Sequence, residues 1–158
     1  MTIRYERILF CTDFSEDADY AFLTAWDLTE KYQSQLFILH VLHSPYKDMP
    51  RLADKPGEGV EEALLSSEVI EKGTQRLRAR YESKMSAMRN NCEFHLVSGV
   101  PFVEIIRFAR DQMVDLIVLG AIGSTGSDRI SFGSTAENVI RRSHCSVMAV
   151  RGPGKIFQ

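Results

Sequence analysis

Five short apolar runs alternate with four longer stretches of helical spacing, and this alternation constrains the chain more than any other feature. The runs are Ile8-Leu-Phe-Cys-Thr12, Leu36-Phe-Ile-Leu-His-Val41, Glu93-Phe-His-Leu-Val97, Leu116-Ile-Val-Leu119 and Ser146-Val-Met-Ala-Val150. Several are apolar at consecutive positions, as strands buried on both faces are. A parallel sheet covered by helices on both sides meets that requirement. The first helix is expected over 16–33, with Ala18, Ala21, Phe22, Ala25, Leu28 and Tyr32 on one side. Ser15 suits its N-cap, and Glu16 and Asp17 suit the positive end of its dipole. A long helix is expected from about Glu61 to Asn90, carrying Leu77, Tyr81, Met85 and Met88, with Gly73 placed to divide or bend it. Gly99 turns the chain into a third helix over 101–113, which opens on Pro101 and carries Val103, Ile106 and Ala109 in register. The fourth helix is short, 134–143.

At 158 residues the chain reads as one domain over 1–158, long enough to bury a core without staples. Apolar residues are 44% and charged residues 25%, which excludes disorder as the main theme. The charges are 19 Lys and Arg against 21 Asp and Glu, a net of −2. That balance argues against a nucleic-acid binder and against attraction to anionic membranes. No apolar run approaches the ~20 residues that span a bilayer, and no signal-peptide core follows Met1. Cys11, Cys92 and Cys145 are far apart, so neither a disulfide framework nor a zinc site is expected. Free thiols suit a reducing, cytoplasmic setting. The polar stretch 43–59 reads as a long, mobile surface loop, and 152–158 as a tail.

In parallel sheets of this kind ligands sit beyond the C-terminal strand ends. The informative residues therefore follow strands one, two and four: Thr12-Asp13-Phe14-Ser15, Val41-Leu42-His43 and the loop that begins Gly120-Ala-Ile-Gly123. This last loop runs over 120–133 and ends at a helix N-terminus, where Ser134 and Thr135 offer hydroxyls and N–H groups. Unpaired N–H donors and the helix dipole favour an anion there. The loop is not a Walker loop, since no lysine lies between Lys84 and Lys155; its cation is Arg129. The spacing is not that of a dinucleotide GxGxxG either. On local sequence alone, a linker in which Ser134 only caps the helix stays open. Asp13 likewise reads either as a ligand carboxylate or as an Asx turn after the strand.

Gly120-x2-Gly123-x9-Gly133-Ser134 matches every fixed position of the nucleotide-binding signature G-x2-G-x9-G-[ST] of the universal stress protein family. The resemblance covers nearly the whole chain. Ile8-Leu-Phe-Cys-Thr-Asp-Phe-Ser15 resembles the opening strand and Asp-x-Ser turn, and Ala21 and Ala25 the small residues of the first helix. Gly99-Val-Pro101, Ile105, Ala109, Asp115–Gly120 and Ser146–Val150 resemble later segments, with Ser146 standing where the family commonly has proline. The fold expected on both grounds is α/β, a five-stranded parallel sheet with helices on both faces; the resemblance further implies a Rossmann-like fold of the adenine nucleotide alpha hydrolase type with strand order 3-2-1-4-5. The resemblance implies a bound adenine nucleotide, ATP (or AMP or ADP), with Mg²⁺. It puts Asp13 by the ribose and, through water, by any metal; Thr12 beside it is a further candidate nucleotide-binding residue. It puts Val41 at the adenine, and Gly120, Gly123, Gly133, Ser134 and Thr135 along the phosphates; Arg129, the loop's nearest cation, is a further candidate. It also implies a homodimer through strand 146–150 and a nucleotide-dependent regulatory role in the stress response.

Other residues carry blander readings. His40 and His43 are three apart on a strand and face opposite sides, so a metal pair is not expected. Cys11 reads as a buried strand residue, and Arg76-Leu-Arg-Ala-Arg80 as a solvated helix face. Two other functions stay open: slow ATP hydrolysis or autophosphorylation on loop hydroxyls, and a nucleotide-free dimeric scaffold.

Overall fold

Strands that are apolar on both faces need cover on both, and the chain supplies it with helices after four of its five strands. The structure, a computed structural model, describes residues 1–43, 67–85, 91–122 and 132–152. Its strands are β1 (Arg7–Thr12), β2 (Gln35–His43), β3 (Cys92–Gly99), β4 (Leu116–Gly120) and β5 (Ser146–Val150). Its helices are α1 (Glu16–Tyr32), α2 (Ser67–Tyr81), α3 (Pro101–Asp111) and α4 (Ser134–Arg142), with a 3₁₀ turn at Glu82–Lys84. The sheet is parallel throughout, in the order β3-β2-β1-β4-β5. This is the expected order, and β1 and β4 flank the point at which it reverses.

Two core layers result. On one face Ile8, Phe10, Leu36, Ile38, Leu116 and Val118 lie under Ala21, Phe22, Ala25 and Trp26 of α1 and Leu77 and Tyr81 of α2. On the other, Leu9, Cys11, Phe37, Leu39, Ile117 and Leu119 lie under Ile105 and Ala109 of α3 and Ala136 and Val139 of α4. Each large side chain fully buried in this way contributes roughly 1.5–3 kcal/mol. The alternation along β1 thus feeds both layers from one strand.

Three helices differ from their expected form. Alpha-helical geometry in α2 stops at Tyr81, and Met85 is already extended at φ −90°, ψ 136°. The ends expected at 61–66 and 86–90, Met88 among them, lie outside the described residues, as do 44–59 and 153–158. Gly73 does not divide α2. A Cβ there would lie 2.6 Å from Leu96 Cδ2, so the glycine lets α2 settle closely onto β3. In α3 the buried positions are Glu104, Ile105 and Ala109, while Val103 and Ile106 are only half-buried. Trp26, on the buried side of α1, joins the first layer, whereas Leu28 only packs against its margin.

Among the described residues no helix is long and apolar enough to cross a membrane.

Candidate functional site

The sheet register gathers the strand-end residues. Thr12 pairs with His40 across β1 and β2, and Cys11 pairs with Leu119 across β1 and β4. Continued by one or two residues, these registers put Asp13 beside Val41 on one side and beside Ala121 on the other. Val41 packs on the layer beneath α3 and α4. The glycine loop leaves β4 at the same end. Ala121 N–H extends the ladder to Val150 O at 2.8 Å, and Gly133 N–H returns to Ala121 O at 2.8 Å. That second bond closes the mouth of the loop and sets the start of α4 against the end of β4.

The N-cap of α4 is Gly133, which has no side chain to satisfy the helix's first N–H groups. Ser134 and Thr135 are the first two residues of the helix, and its first backbone bond runs from Glu137 N–H to Gly133 O at 3.0 Å. The structure therefore brings Asp13, Val41, Gly120, Gly133, Ser134 and Thr135 to one end of the sheet. Gly123 and Arg129 lie outside the described residues.

Asp13 is exposed, and its Oδ1 accepts the Ser15 N–H at 3.0 Å. The Asx-turn reading is thus realised, and a carboxylate still has acceptor capacity for more than one donor. Thr12 sends its side chain to the opposite face, where its hydroxyl meets the Tyr81 hydroxyl at 2.5 Å and accepts the Phe14 N–H at 3.0 Å. The backbone of Thr12 is engaged as well, its carbonyl accepting the His40 Nδ1–H at 2.8 Å, so the expectation of Thr12 as a ligand side chain is corrected: the alternation of β1 turns it away from Asp13. Burial holds the His40 imidazole below its usual range, opposed by the hydrogen bond to Thr12. A neutral ring with its proton on Nδ1 fits this contact.

Between Asp13 and the helix, Phe14 takes a left-handed backbone, φ 63°. Its ring lies under the Arg76 guanidinium, 3.9 Å from the centroid, and against His40 at 4.6 Å. Tyr81, whose hydroxyl burial pushes up to about 12, also contacts Asp19, which is paired with Arg80 at 2.6 Å. In this way α2 braces the turn that presents Asp13. None of these partners had a local signal in the sequence, because Thr12 and Tyr81 are 69 residues apart.

Asp17, expected only as a partner for the helix dipole, takes a second part in the site. It is fully buried, and its Oδ2 accepts the Ile122 N–H at 3.2 Å while its Oδ1 accepts the Gly152 N–H at 3.3 Å. Gly120 packs against the same turn: a Cβ there would lie 3.0 Å from both Ala18 N and Asp17 C. Gly120 therefore lets α1 approach β4 closely. Burial pushes the Cys11 thiol far up, so it stays protonated and inert, as expected for a strand residue.

A doubly wound parallel sheet with its polar groups at the strand ends and one helix N-terminus defines a Rossmann-like protein. Within that class the chain belongs to the universal stress protein family, whose model it matches over residues 4–151. It is 33% identical to universal stress protein MJ0531 of Methanocaldococcus jannaschii, over 96% of this chain and 85% of that protein. It is 29% identical to the solved universal stress protein UspA from Lactobacillus plantarum, with a TM-score of 0.73 over 95% of this chain and 100% of the other. A universal stress protein solved in complex with cAMP shares the fold at 20% identity and a TM-score of 0.63, over 94% of this chain and 98% of that one.

Proposed function

We propose that the chain binds an adenine nucleotide, ATP with Mg²⁺, at the ends of β1, β2 and β4, and acts as a nucleotide-dependent regulatory protein. The observation that carries this is the hydrogen bond from Gly133 N–H to Ala121 O. It holds a helix N-terminus with no side-chain cap at the strand ends where Asp13 and Val41 also lie. An anion at such a terminus gains roughly 0.3–1 kcal/mol, and up to about 2 when sheltered. Two kcal/mol is about 30-fold in affinity, so the phosphates need the loop amides as well as the dipole.

In this reading the backbone of Val41 holds adenine and Asp13 meets the ribose, whereas the Thr12 hydroxyl, turned to Tyr81, takes no part. Gly120, Gly123, Gly133, Ser134 and Thr135 line the phosphates, with Arg129 as the cation of the loop. Among the described residues no group of three or more His, Cys, Asp and Glu could hold a metal. Magnesium is commonly held by one or two carboxylates together with substrate phosphates, so a single exposed carboxylate at Asp13 fits Mg²⁺ that arrives with the nucleotide. When bound, the ion neutralises phosphate charge; the chain's part is to present Asp13 through the turn braced by Tyr81. The fold neighbour in complex with cAMP supports an adenine ligand over other anions.

The edge strand β5 has half-buried Val147, Met148, Ala149 and Val150, and an apolar edge invites pairing with a second chain. We read it as the homodimer edge. The three free cysteines favour a cytoplasmic setting.

Ser134→Asp separates phosphate binding from helix stability. A carboxylate at the start of α4 complements the dipole but repels phosphate. ATP affinity should fall at least about tenfold while the melting temperature does not drop. Unchanged affinity in this variant would remove the helix terminus from the site.

A further inference from the structure

We infer that Asp17 is the positioning residue of the glycine loop, and that it couples the loop to the chain leaving the edge strand. Asp17 places one buried carboxylate in the first turn of α1. Its two oxygens accept two backbone N–H groups that are 30 residues apart in sequence, at Ile122 and Gly152. Ile122 is the second residue after β4 and immediately precedes Gly123, the second glycine of the signature. Gly152 is the second residue after β5.

The carboxylate is fully buried at this junction, with two glycines packed closely about the turn. A Cβ at Gly120 would lie 3.0 Å from the Asp17 carbonyl carbon, and one at Gly152 would lie 2.6 Å from the Tyr20 ring. Ala121 is fully buried and Ile122 is 5% exposed, so water is not at hand to replace the carboxylate as acceptor for Ile122. A buried N–H that loses its acceptor bears a full desolvation penalty. The loop's first step is thereby set by Asp17, while Ala121 O sets its last through Gly133 N–H. One rigid side chain thus fixes where the loop departs, and the same side chain fixes where the chain goes after β5. A change at either end is felt by the other through the shared acceptor, which is a coupling between two places and is reciprocal.

The effect on ligand rests on the nucleotide reading given above; the hydrogen-bond latch does not. Asp17→Ala and the near-isosteric Asp17→Asn would be compared with the unaltered full chain. Backbone hydrogen exchange would be followed at Ile122, Gly152, Ala121 and Gly133. ATP with Mg²⁺, and adenosine as the phosphate-free probe, would be titrated into each protein. In Asp17→Ala, exchange at Ile122 and Gly152 should rise together by about tenfold or more, with Ala121 and Gly133 unchanged. In Asp17→Asn, whose amide offers one acceptor oxygen, one of the two sites should keep its protection. ATP affinity should fall about tenfold in Asp17→Ala while adenosine affinity stays the same, a split that a general loss of stability would not produce. Retained protection at Ile122 and Gly152 in both variants would overturn the latch. Accelerated exchange with unchanged ATP affinity would overturn the positioning role. If the unaltered chain binds no ATP, the nucleotide reading fails, and the exchange data alone still decide whether Asp17 joins the two segments.

Discussion

His40 sits where a single proton changes the local balance of charge. Its Nδ1–H is committed to the Thr12 carbonyl, its ring lies on Phe14, and Arg76 disfavours a charge on it while Asp13 favours one. Burial dominates and lowers its affinity for protons in the folded state. The unfolded chain then binds the proton more readily, so stability is full above about pH 6.5 and falls as pH drops from there toward the folded value. Urea unfolding at pH 7.5 and at pH 5.5 should show this loss in the native chain and a smaller one in His40→Gln, which keeps an N–H donor for Thr12. Equal losses in the two proteins would place the proton uptake elsewhere. Asp17 teaches a different lesson at the same scale. In sequence it is one of the acids of a first helical turn, indistinguishable from Glu16 as a partner for the helix dipole. Its fate as a buried acceptor depends on segments 105 and 135 residues away, which no local period encodes.

Elements were far more legible than contacts. Apolar runs on both faces of the strands identified a covered parallel sheet, and Ser15 caps α1 as its position suggested, accepting the Ala18 N–H at 3.2 Å. The strand boundaries moved outward by up to two residues, because pairing with a neighbour continues past the apolar run into Leu42, His43, Ser98 and Gly99. The helix α2 ends before the apolar spacing does: Met85 continues the spacing of Leu77 and Tyr81 and is itself buried, although it is extended. Helical spacing and burial agree there without a helix. In α3, Glu104 is buried in an inward position, with its carboxylate on Arg107 at 2.7 Å and packed against Gly99 at φ 151°. Polarity alone would have turned it outward. The end of α1 offers a direct check on backbone strain: Gln33 closes the helix in the left-handed region, φ 55°, where glycine is unstrained. Gln33→Gly should raise stability by about 0.5–1 kcal/mol, a gain of a few degrees in melting temperature for a chain of this size. A lower melting temperature would show that the Gln33 side chain contributes more than its backbone loses.

At the scale of the whole molecule, the order β3-β2-β1-β4-β5 places the candidate site at the centre of one sheet end and the edge strand β5 two strands away from β1. Alternation along β5 gives the following division. Val150 O faces β4, since it accepts the Ala121 N–H, so Val147 and Ala149 turn their backbone groups outward. A proline at 149 removes an outward donor and spares the β4 ladder. Ala149→Pro should convert a dimer to a monomer in sedimentation velocity while the fold persists; a dimer that survives it would pair through another surface. Of the candidate site, the strand-end positions were legible, because they are local positions on recognisable elements; Gly123 of the glycine spacing lies outside the described residues. The bracing by Tyr81, the second duty of Gly120 and the latch at Asp17 were not, since each arises only when α1 and α2 close over the sheet. The most direct test of the nucleotide site is a calorimetric titration of the nucleotide-stripped chain with ATP in the presence of Mg²⁺, set beside the same titration with adenosine. Saturable binding near one ATP per chain, at least about tenfold tighter than adenosine, is the expected result. A folded chain that takes up no ATP at several temperatures would contradict the nucleotide site and leave the β5 edge as the functional surface.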